Sequence, residues 1–201
     1  MRKVVVFTNL TLDGVMQAPG RPDEDRRGGF EHGGWARRGI DPLMQRVMGE
    51  RMGTSWSLLL GRRTYEDFAA FWPNQPEPNP FTEALNNVQK YVASTTLEEP
   101  LAWINSTLLR GDAAEAVAGL KEQPGNNLVV FGSGELVQSL MRRDLIDEYV
   151  LLIHPLVLGS GRRLFPDRGA STALRLVDAK TTATGVVIAI YQPADRTRRT
   201  R

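Results

Sequence analysis

The chain has 201 residues, 41% of them hydrophobic, a formal net charge of +2 and no cysteine. This length suits one domain with a sizeable core. The lack of cysteine excludes disulfides, thiolate nucleophiles and cysteine-held zinc, including the zinc of the nucleobase deaminases. Two histidines argue against a histidine-rich metal site, so we expect no metal.

The basic character of the chain comes from its last residues. Residues 195–201 hold four arginines and one aspartate, which leaves a net charge of −1 on the rest. A nearly neutral body does not predict a nucleic-acid groove. We expect this tail to be disordered, with a weak anionic contact as the alternative, and a single domain over residues 1–194.

No apolar run approaches the roughly 20 residues that span a bilayer. The first apolar run is also too short for a signal peptide, and it is interrupted by Asn9 and Asp13. We therefore expect a cytoplasmic protein that has neither a membrane nor a nucleic acid as partner.

The predicted elements alternate between strands and helices. Strands are predicted at residues 3–8, 56–60, 90–93, 127–131 and 147–153, with a further extended run at 156–158. Helices are predicted from Asp41-Pro42 to Gly53, at 64–70, 81–87 and 134–143, and from a capping box of Asp112 and Glu115 to Pro124.

Two further segments complete the pattern. Residues 14–39 hold seven glycines and predict a lid or binding loop. Residues 174–180 and 186–192 predict an antiparallel hairpin. The whole pattern predicts an α/β fold of three layers, with helices on both faces of a mostly parallel sheet that ends in this hairpin.

The turn after the second strand is a candidate phosphate site. Gly61, Arg62, Arg63 and Thr64 place two guanidinium groups and a hydroxyl where a strand meets a helix N-terminus. Such an N-terminus presents free N–H groups and the positive end of the helix dipole. The alternative is an ordinary strand-to-helix turn with two solvated arginines.

A second turn of the same kind is Gly132-Ser133-Gly134, followed by Glu135 and Leu136. Its glycines let the backbone approach a pyrophosphate closely. It is an incomplete Rossmann fingerprint, because Val137 occupies the third glycine position. Because ligands of open α/β sheets bind beyond the carboxyl ends of the strands, we expect both turns to bind one dinucleotide.

Ser94, Thr95 and Thr96 close the third strand. They form either a hydroxyl-rich turn or a site for a ribose 2′-phosphate, with Arg62 or Arg63 as the opposite charge. The second alternative favours NADPH over NADH.

Three residues are candidates for the substrate end. Asp13, in the stretch Thr11-Leu12-Asp13-Gly14, either caps its own turn, or else fixes the entry of the glycine-rich segment or touches the substrate. Trp35 either covers a flat ring or anchors packing. Asp41 is either a helix N-cap or a catalytic carboxylate that binds a protonated heterocycle or helps to deliver a proton. Glu31 and His32 are weaker candidates for that last role, and we expect His154 to be structural.

These motifs, in this order, resemble the dihydrofolate reductase-like fold, and most closely its bacterial branch related to the reductase domain of riboflavin biosynthesis, the RibD C-terminal domain. The resemblance covers residues 3–193 and is carried by residues 11–14, 60–66, 91–94, 132–136, 153–155 and 158–165. Asp41 is the nearest equivalent of the acidic residue that dihydrofolate reductases place against the pterin. The chain has no clear arginine for the glutamate tail of a folate and no fused deaminase domain.

The resemblance implies that NADPH lies across the carboxyl ends of the strands, with its pyrophosphate at residues 132–134 and its nicotinamide near the first strand. It implies cofactor contacts from Gly61, Arg62, Arg63, Thr64, Ser94, Thr95, Gly132, Ser133, Gly134, Glu135 and Leu136. It also suggests a homodimer, since the C-terminal hairpin offers a sheet edge that needs covering.

We therefore expect an NADPH-dependent reductase that transfers hydride to a C=N or C=O group of a small flat heterocycle, pterin-, pyrimidine- or flavin-like. The alternatives are a dinucleotide- or flavin-binding module without turnover and a purely structural domain.

Overall fold

A mixed β-sheet runs through the part of the chain that the computed structural model describes, residues 1–77, 79–169 and 171–194. The predicted basic tail lies outside these residues. The strands are β1 (Val4–Thr11), β2 (Trp56–Gly61), β3 (Lys90–Ala93), β4 (Ser106–Leu109), β5 (Asn127–Phe131), β6 (Glu148–His154), β7 (Leu174–Thr181) and β8 (Val187–Pro193).

The strand order is β4-β3-β2-β5-β1-β6-β8-β7. The first six strands in this order, from β4 across the sheet to β6, are parallel to one another. Strand β8 runs antiparallel to both β6 and β7. The sheet is thus mostly parallel with an antiparallel C-terminal hairpin, which confirms the predicted fold class.

Helices cover both faces of the sheet. They are α1 (Pro42–Met52), α2 (Arg62–Phe71), α3 (Pro80–Asn87), α4 (Ala113–Glu122) and α5 (Gly134–Arg142). One core packs residues of α1, α2 and α3 on one face, and the other packs α4 and α5 on the opposite face. The central strands therefore consist of continuous apolar runs, because both of their faces are buried.

The structure differs from the sequence prediction at several boundaries. Strand β1 continues to Thr11, and α2 begins at Arg62 rather than at residue 64. Strand β4 was not predicted, and residues 156–158 form no strand. In that segment, the Leu156 carbonyl accepts a hydrogen bond from the Leu12 N–H group at 2.9 Å.

The helices begin in two different ways. The side chains of Asp41, Asn79 and Asp112 accept backbone N–H groups at the starts of α1, α3 and α4. Helices α2 and α5 start after Gly61 and Ser133 with no side-chain cap. Their first N–H groups have no partner within the helix and remain available to a ligand.

The longest of these helices, α1, has 11 residues. None in the described part of the chain has the length and apolar character needed to cross a membrane. The cytoplasmic location stays a prediction.

Candidate functional site

The carboxyl ends of β3, β2, β5 and β1 border one cleft of about 1150 Å³. These four strands are neighbours in the sheet in this order. The cleft is lined by all of the predicted cofactor-binding residues, which are Gly61, Arg62, Arg63, Thr64, Ser94, Thr95, Gly132, Ser133, Gly134, Glu135 and Leu136. The structure therefore brings the two glycine turns and the Ser94 turn together.

The two glycine turns are also hydrogen-bonded to each other. The Gly61 N–H group donates to Ser133 Oγ at 3.1 Å, and the Ser133 N–H group donates to Thr64 Oγ1 at 3.1 Å. These bonds fix the start of α2 against the start of α5. Two uncapped helix N-termini thus meet at one edge of the sheet, a favourable arrangement for an anion.

Gly132 and Ser133 both adopt left-handed backbone conformations, with φ of 58° and 52°. A residue with a side chain rarely takes this conformation, and it costs roughly 1 kcal/mol or more. At Ser133 the hydroxyl bonds compensate, because Oγ donates to the Phe131 carbonyl at 3.2 Å as well as accepting from Gly61. The strained turn thus places the N-terminus of α5 at the wall of the cleft.

The Ser94 hydroxyl is largely used by its own turn. It accepts the N–H groups of Thr96 at 3.1 Å and Leu97 at 3.0 Å. Arg62 pairs with Glu66 at 3.1 Å, one turn further along α2. Arg63 is exposed and has no ion pair within the described chain, so its guanidinium is the freer of the two.

The charges that line the cleft are unequal. Four acidic residues, Glu24, Asp25, Asp67 and Glu135, face eight arginines, which are Arg21, Arg26, Arg27, Arg37, Arg62, Arg63, Arg162 and Arg163. Such an excess of positive charge attracts anionic ligands.

Asp13 lies outside the cleft lining. Its carboxylate accepts the Thr11 hydroxyl at 2.5 Å and the N–H groups of Leu158 at 3.2 Å and Gly159 at 2.8 Å. The Thr11 bond and these backbone bonds lower the pKa of Asp13 to about 2, against a smaller opposing effect of desolvation. Asp13 therefore anchors the loop after β6 to the end of β1, and its predicted contact with a substrate stays a prediction.

Asp41 also lies outside the lining. Its Oδ1 accepts the Leu43 N–H group at 2.8 Å, and its Oδ2 accepts the Ala183 N–H group at 3.2 Å. Both oxygens are thus engaged by backbone donors, and the residue is 8% exposed. Asp41 is therefore the N-cap of α1, and its catalytic role stays a prediction.

Trp35 packs beside the cleft and does not line it. Its Nε1–H donates to the Gln17 carbonyl at 2.7 Å, and its ring meets His154 edge-on with centroids 5.2 Å apart. It serves as the packing anchor that the sequence left open. Glu31 and His32 are exposed and lie outside the lining as well.

The glycine-rich segment folds over the cleft. Gln17 is buried, and its Nε2 donates to the carbonyls of Asp25 at 3.2 Å and Arg27 at 3.0 Å. Arg21 forms an ion pair with Asp67 of α2, and its guanidinium lies 4.2 Å from the Phe71 ring centroid. The segment thus adopts a closed position held by side chains on α2.

Sequence reasoning missed an apolar end of the cleft. Its aromatic and methionine side chains come mostly from the core that packs α1, α2 and α3, and they are Phe7, Met44, Met48, Phe68, Phe71, Trp72, Phe81 and Phe131. The signal was present in the dense aromatic stretch of residues 68–72. A flat apolar ring fits such surroundings.

A notch opens between β1 and β5. Their pairing ends at Phe7 and Phe131, whereas β1 continues along β6 as far as the pair Thr11 and His154. Thr8 and Asn9 line the cleft there, and the buried Thr8 hydroxyl has no hydrogen-bond partner in the described chain.

Comparison with known proteins gives this arrangement a family. The family model described as RibD C-terminal domain matches residues 2–188. The chain belongs to this family. The expected resemblance is therefore confirmed over almost the whole length that the sequence suggested.

Two Bacillus subtilis (strain 168) proteins are similar to this RibD C-terminal domain protein in sequence, and both carry the description uncharacterized protein. YwjB is 31% identical over 183 residues, which cover 89% of this chain and 91% of YwjB. YyaP is 30% identical over 141 residues, which cover 67% of this chain and 72% of YyaP.

Solved structures share the RibD C-terminal fold. A putative riboflavin biosynthesis protein from Shewanella sp. PV-4 superimposes with a TM-score of 0.67 at 22% identity, covering 96% of this chain and 99% of that one. A pyrimidine reductase-like protein from Corynebacterium diphtheriae gives a TM-score of 0.64 at 10% identity, covering 96% and 92%.

Proposed function

We propose that the protein is an NADPH-dependent reductase that transfers hydride to a C=N or C=O group of a small flat heterocycle. The observation that carries the proposal is the order of features along the sheet edge. Hydroxyls follow β3, arginines and a helix N-terminus follow β2, a glycine turn follows β5, and an open notch lies beside β1. This order matches an extended dinucleotide whose phosphates lie at the middle strands and whose nicotinamide ring lies at the β1 end.

The dimensions and donors of the cleft fit NADPH. Neighbouring strands lie about 4.8 Å apart, so the three steps from β3 to β1 span roughly 14 Å. The pyrophosphate would meet the uncapped N-termini of α2 and α5, where Gly132 presents no side chain. Arg63 and Arg62 would hold the 2′-phosphate through their planar forks.

The bound nicotinamide supplies the hydride, and the protein supplies position and dryness. The notch at Thr8 and Asn9 would hold the ring, and the aromatic and methionine side chains would hold the flat acceptor against it. The glycine-rich segment, held to α2 by Arg21, would exclude water from the reacting atoms. Family membership and the likeness to a pyrimidine reductase-like protein support a reductase role.

The homodimer is likewise a proposal. Strand β7 is the outer strand of its edge, and Leu176 and Val177 on it are 51% and 38% exposed. A second copy would cover this edge. Sedimentation of the wild type and of Leu176→Glu checks this, with a shift to monomer expected in the variant.

Cofactor binding tests the proposed function first. Isothermal titration with NADPH and NADH should show that Arg63→Ala weakens NADPH binding about tenfold to a hundredfold, the loss expected for a hydrogen bond to a charged group. NADH should be little affected. Arg142→Ala removes an exposed arginine of α5 outside the cleft and should change neither affinity.

Turnover is tested separately by the absorbance of NADPH with a panel of flavins, pterins and aminopyrimidines. Oxidation with a member of the panel supports the reductase. Tight NADPH binding without oxidation would favour the non-catalytic module, and a wild type that binds no dinucleotide would refute both.

A further inference from the structure

Asn9 occupies the part of β1 that extends past the end of β5. It lies opposite Leu152 of β6, and both residues line the cleft. The two ends of its amide have different surroundings. Oδ1 lies 2.9 Å from His154 Nε2, whereas Nδ2 has no hydrogen-bond partner within residues 1–77, 79–169 and 171–194. Because Asn9 is only partly buried, Nδ2 can reach a ligand in the cleft.

His154 is enclosed at the end of β6. It is 1% exposed, and the Trp35 ring packs edge-on against it. Its Nδ1 faces Gly39 so closely that a Cβ on that residue would lie 2.5 Å away. Burial lowers the pKa of His154 to about 4, so the ring carries a single proton near neutral pH.

The hydrogen bond between the two side chains fixes the orientation of the amide. Nδ1 of His154 has no hydrogen-bond partner in the described part of the chain, so the single ring proton finds an acceptor only from Nε2, which donates it to Asn9 Oδ1. The –NH₂ group of Asn9 is consequently the end that remains for the cleft.

We propose that Asn9 binds the nicotinamide by donating from Nδ2 to its carboxamide oxygen, and that His154 is a positioning residue that keeps the amide in this orientation. The inference rests on the proposed function, since it requires a bound dinucleotide. With the pyrophosphate at the turn after β5, the next strand along the sheet is β1, so the ring end arrives beside Asn9. The packing of Gly39 and Trp35 then serves to hold the His154 ring.

Asn9→Asp tests the donor. It keeps the shape of the side chain and an acceptor for His154, but it replaces the –NH₂ group with an oxygen that repels the carboxamide oxygen. Titration calorimetry should show NADPH binding weakened about tenfold or more. Binding of 2′-phospho-ADP-ribose, which lacks the nicotinamide, should stay within about twofold of wild type.

Asn126→Asp is the matched control, because it adds the same charge at an exposed site before β5, at the opposite end of the strands. It should leave both affinities unchanged. Unchanged NADPH binding in Asn9→Asp would overturn the inference, and so would an equal loss of both ligands. If the wild type binds neither ligand, the proposed function itself fails.

His154 is tested by rescue. Gln at this position retains an N–H donor at a similar reach, whereas Met fills similar volume without one. NADPH binding should be within about threefold of wild type in His154→Gln and weakened about tenfold in His154→Met. In the Asn9→Asp background, the Met substitution should add little. Equal losses in the Gln and Met variants, with 2′-phospho-ADP-ribose binding retained, would show that His154 contributes packing alone.

Discussion

The lowered pKa of His154 predicts that the free energy of unfolding decreases on acidification between about pH 6.5 and pH 4. In the folded protein its pKa is lowered from 6.5 to about 4 by burial. Between these two values the unfolded chain binds more protons than the folded one, so the free energy of unfolding falls as the pH falls. The loss begins near the pKa of the unfolded chain and levels off below the pKa of the folded one.

The magnitude follows from the same two values. Each pKa unit corresponds to 1.36 kcal/mol, so the full loss is about 3 kcal/mol, and about 2 kcal/mol of it is reached by pH 5. This is a large share of the 5–15 kcal/mol that is typical of a folded domain.

The assay is urea unfolding of the wild type and of His154→Gln from about pH 7.5 to pH 4. Carboxylates such as Asp13 titrate in both proteins, so the difference between the two curves isolates the imidazole. The wild type should lose stability relative to the variant by the amounts given above. Parallel curves would refute the reasoning, since they would mean that the ring titrates alike in the folded and unfolded states.

Further substitutions probe the surroundings of the cleft. Gly39→Ala should destabilise the protein by about 1–3 kcal/mol, because the new Cβ would lie 2.5 Å from His154 Nδ1. Gly49→Ala, in α1 with nothing within 4 Å, should instead stabilise it by about 0.5–1 kcal/mol, and thermal unfolding compares the two. Thr64→Val removes the acceptor of the Ser133 N–H group and should cost about 1 kcal/mol in urea unfolding and weaken NADPH binding in calorimetry. Unchanged stability and affinity would mean that this link between the glycine turns contributes nothing.

The fold was largely predictable because its central strands are apolar runs. The run at residues 56–60 became β2 (Trp56–Gly61) with a shift of one residue at its end. Strand β4 escaped prediction, since Ser106–Leu109 has only two apolar residues. Its place is set by pairing with β3, where Lys90 opposes Ser106. Such an edge strand is specified by a partner that local sequence does not reveal.

One part of the cleft could likewise be predicted from the sequence, whereas another part could not. The two glycine turns could be expected to meet, because each follows a strand of one parallel sheet. Asn9 and His154 stand 145 residues apart, and only the register of β1 with β6 makes them neighbours. Asp41 was ambiguous for a related reason, since its second partner, Ala183, lies in the turn of the C-terminal hairpin.

The missing side-chain caps of α2 and α5 have a consequence for how long the protein survives. Because no side chain accepts hydrogen bonds from these backbone N–H groups, the protein without a bound ligand is less stable than the protein with one. A ligand present at a hundred times its dissociation constant adds about 2.7 kcal/mol to the free energy of unfolding. Under the proposed function, resistance to heat and proteolysis would therefore rise and fall with the supply of dinucleotide.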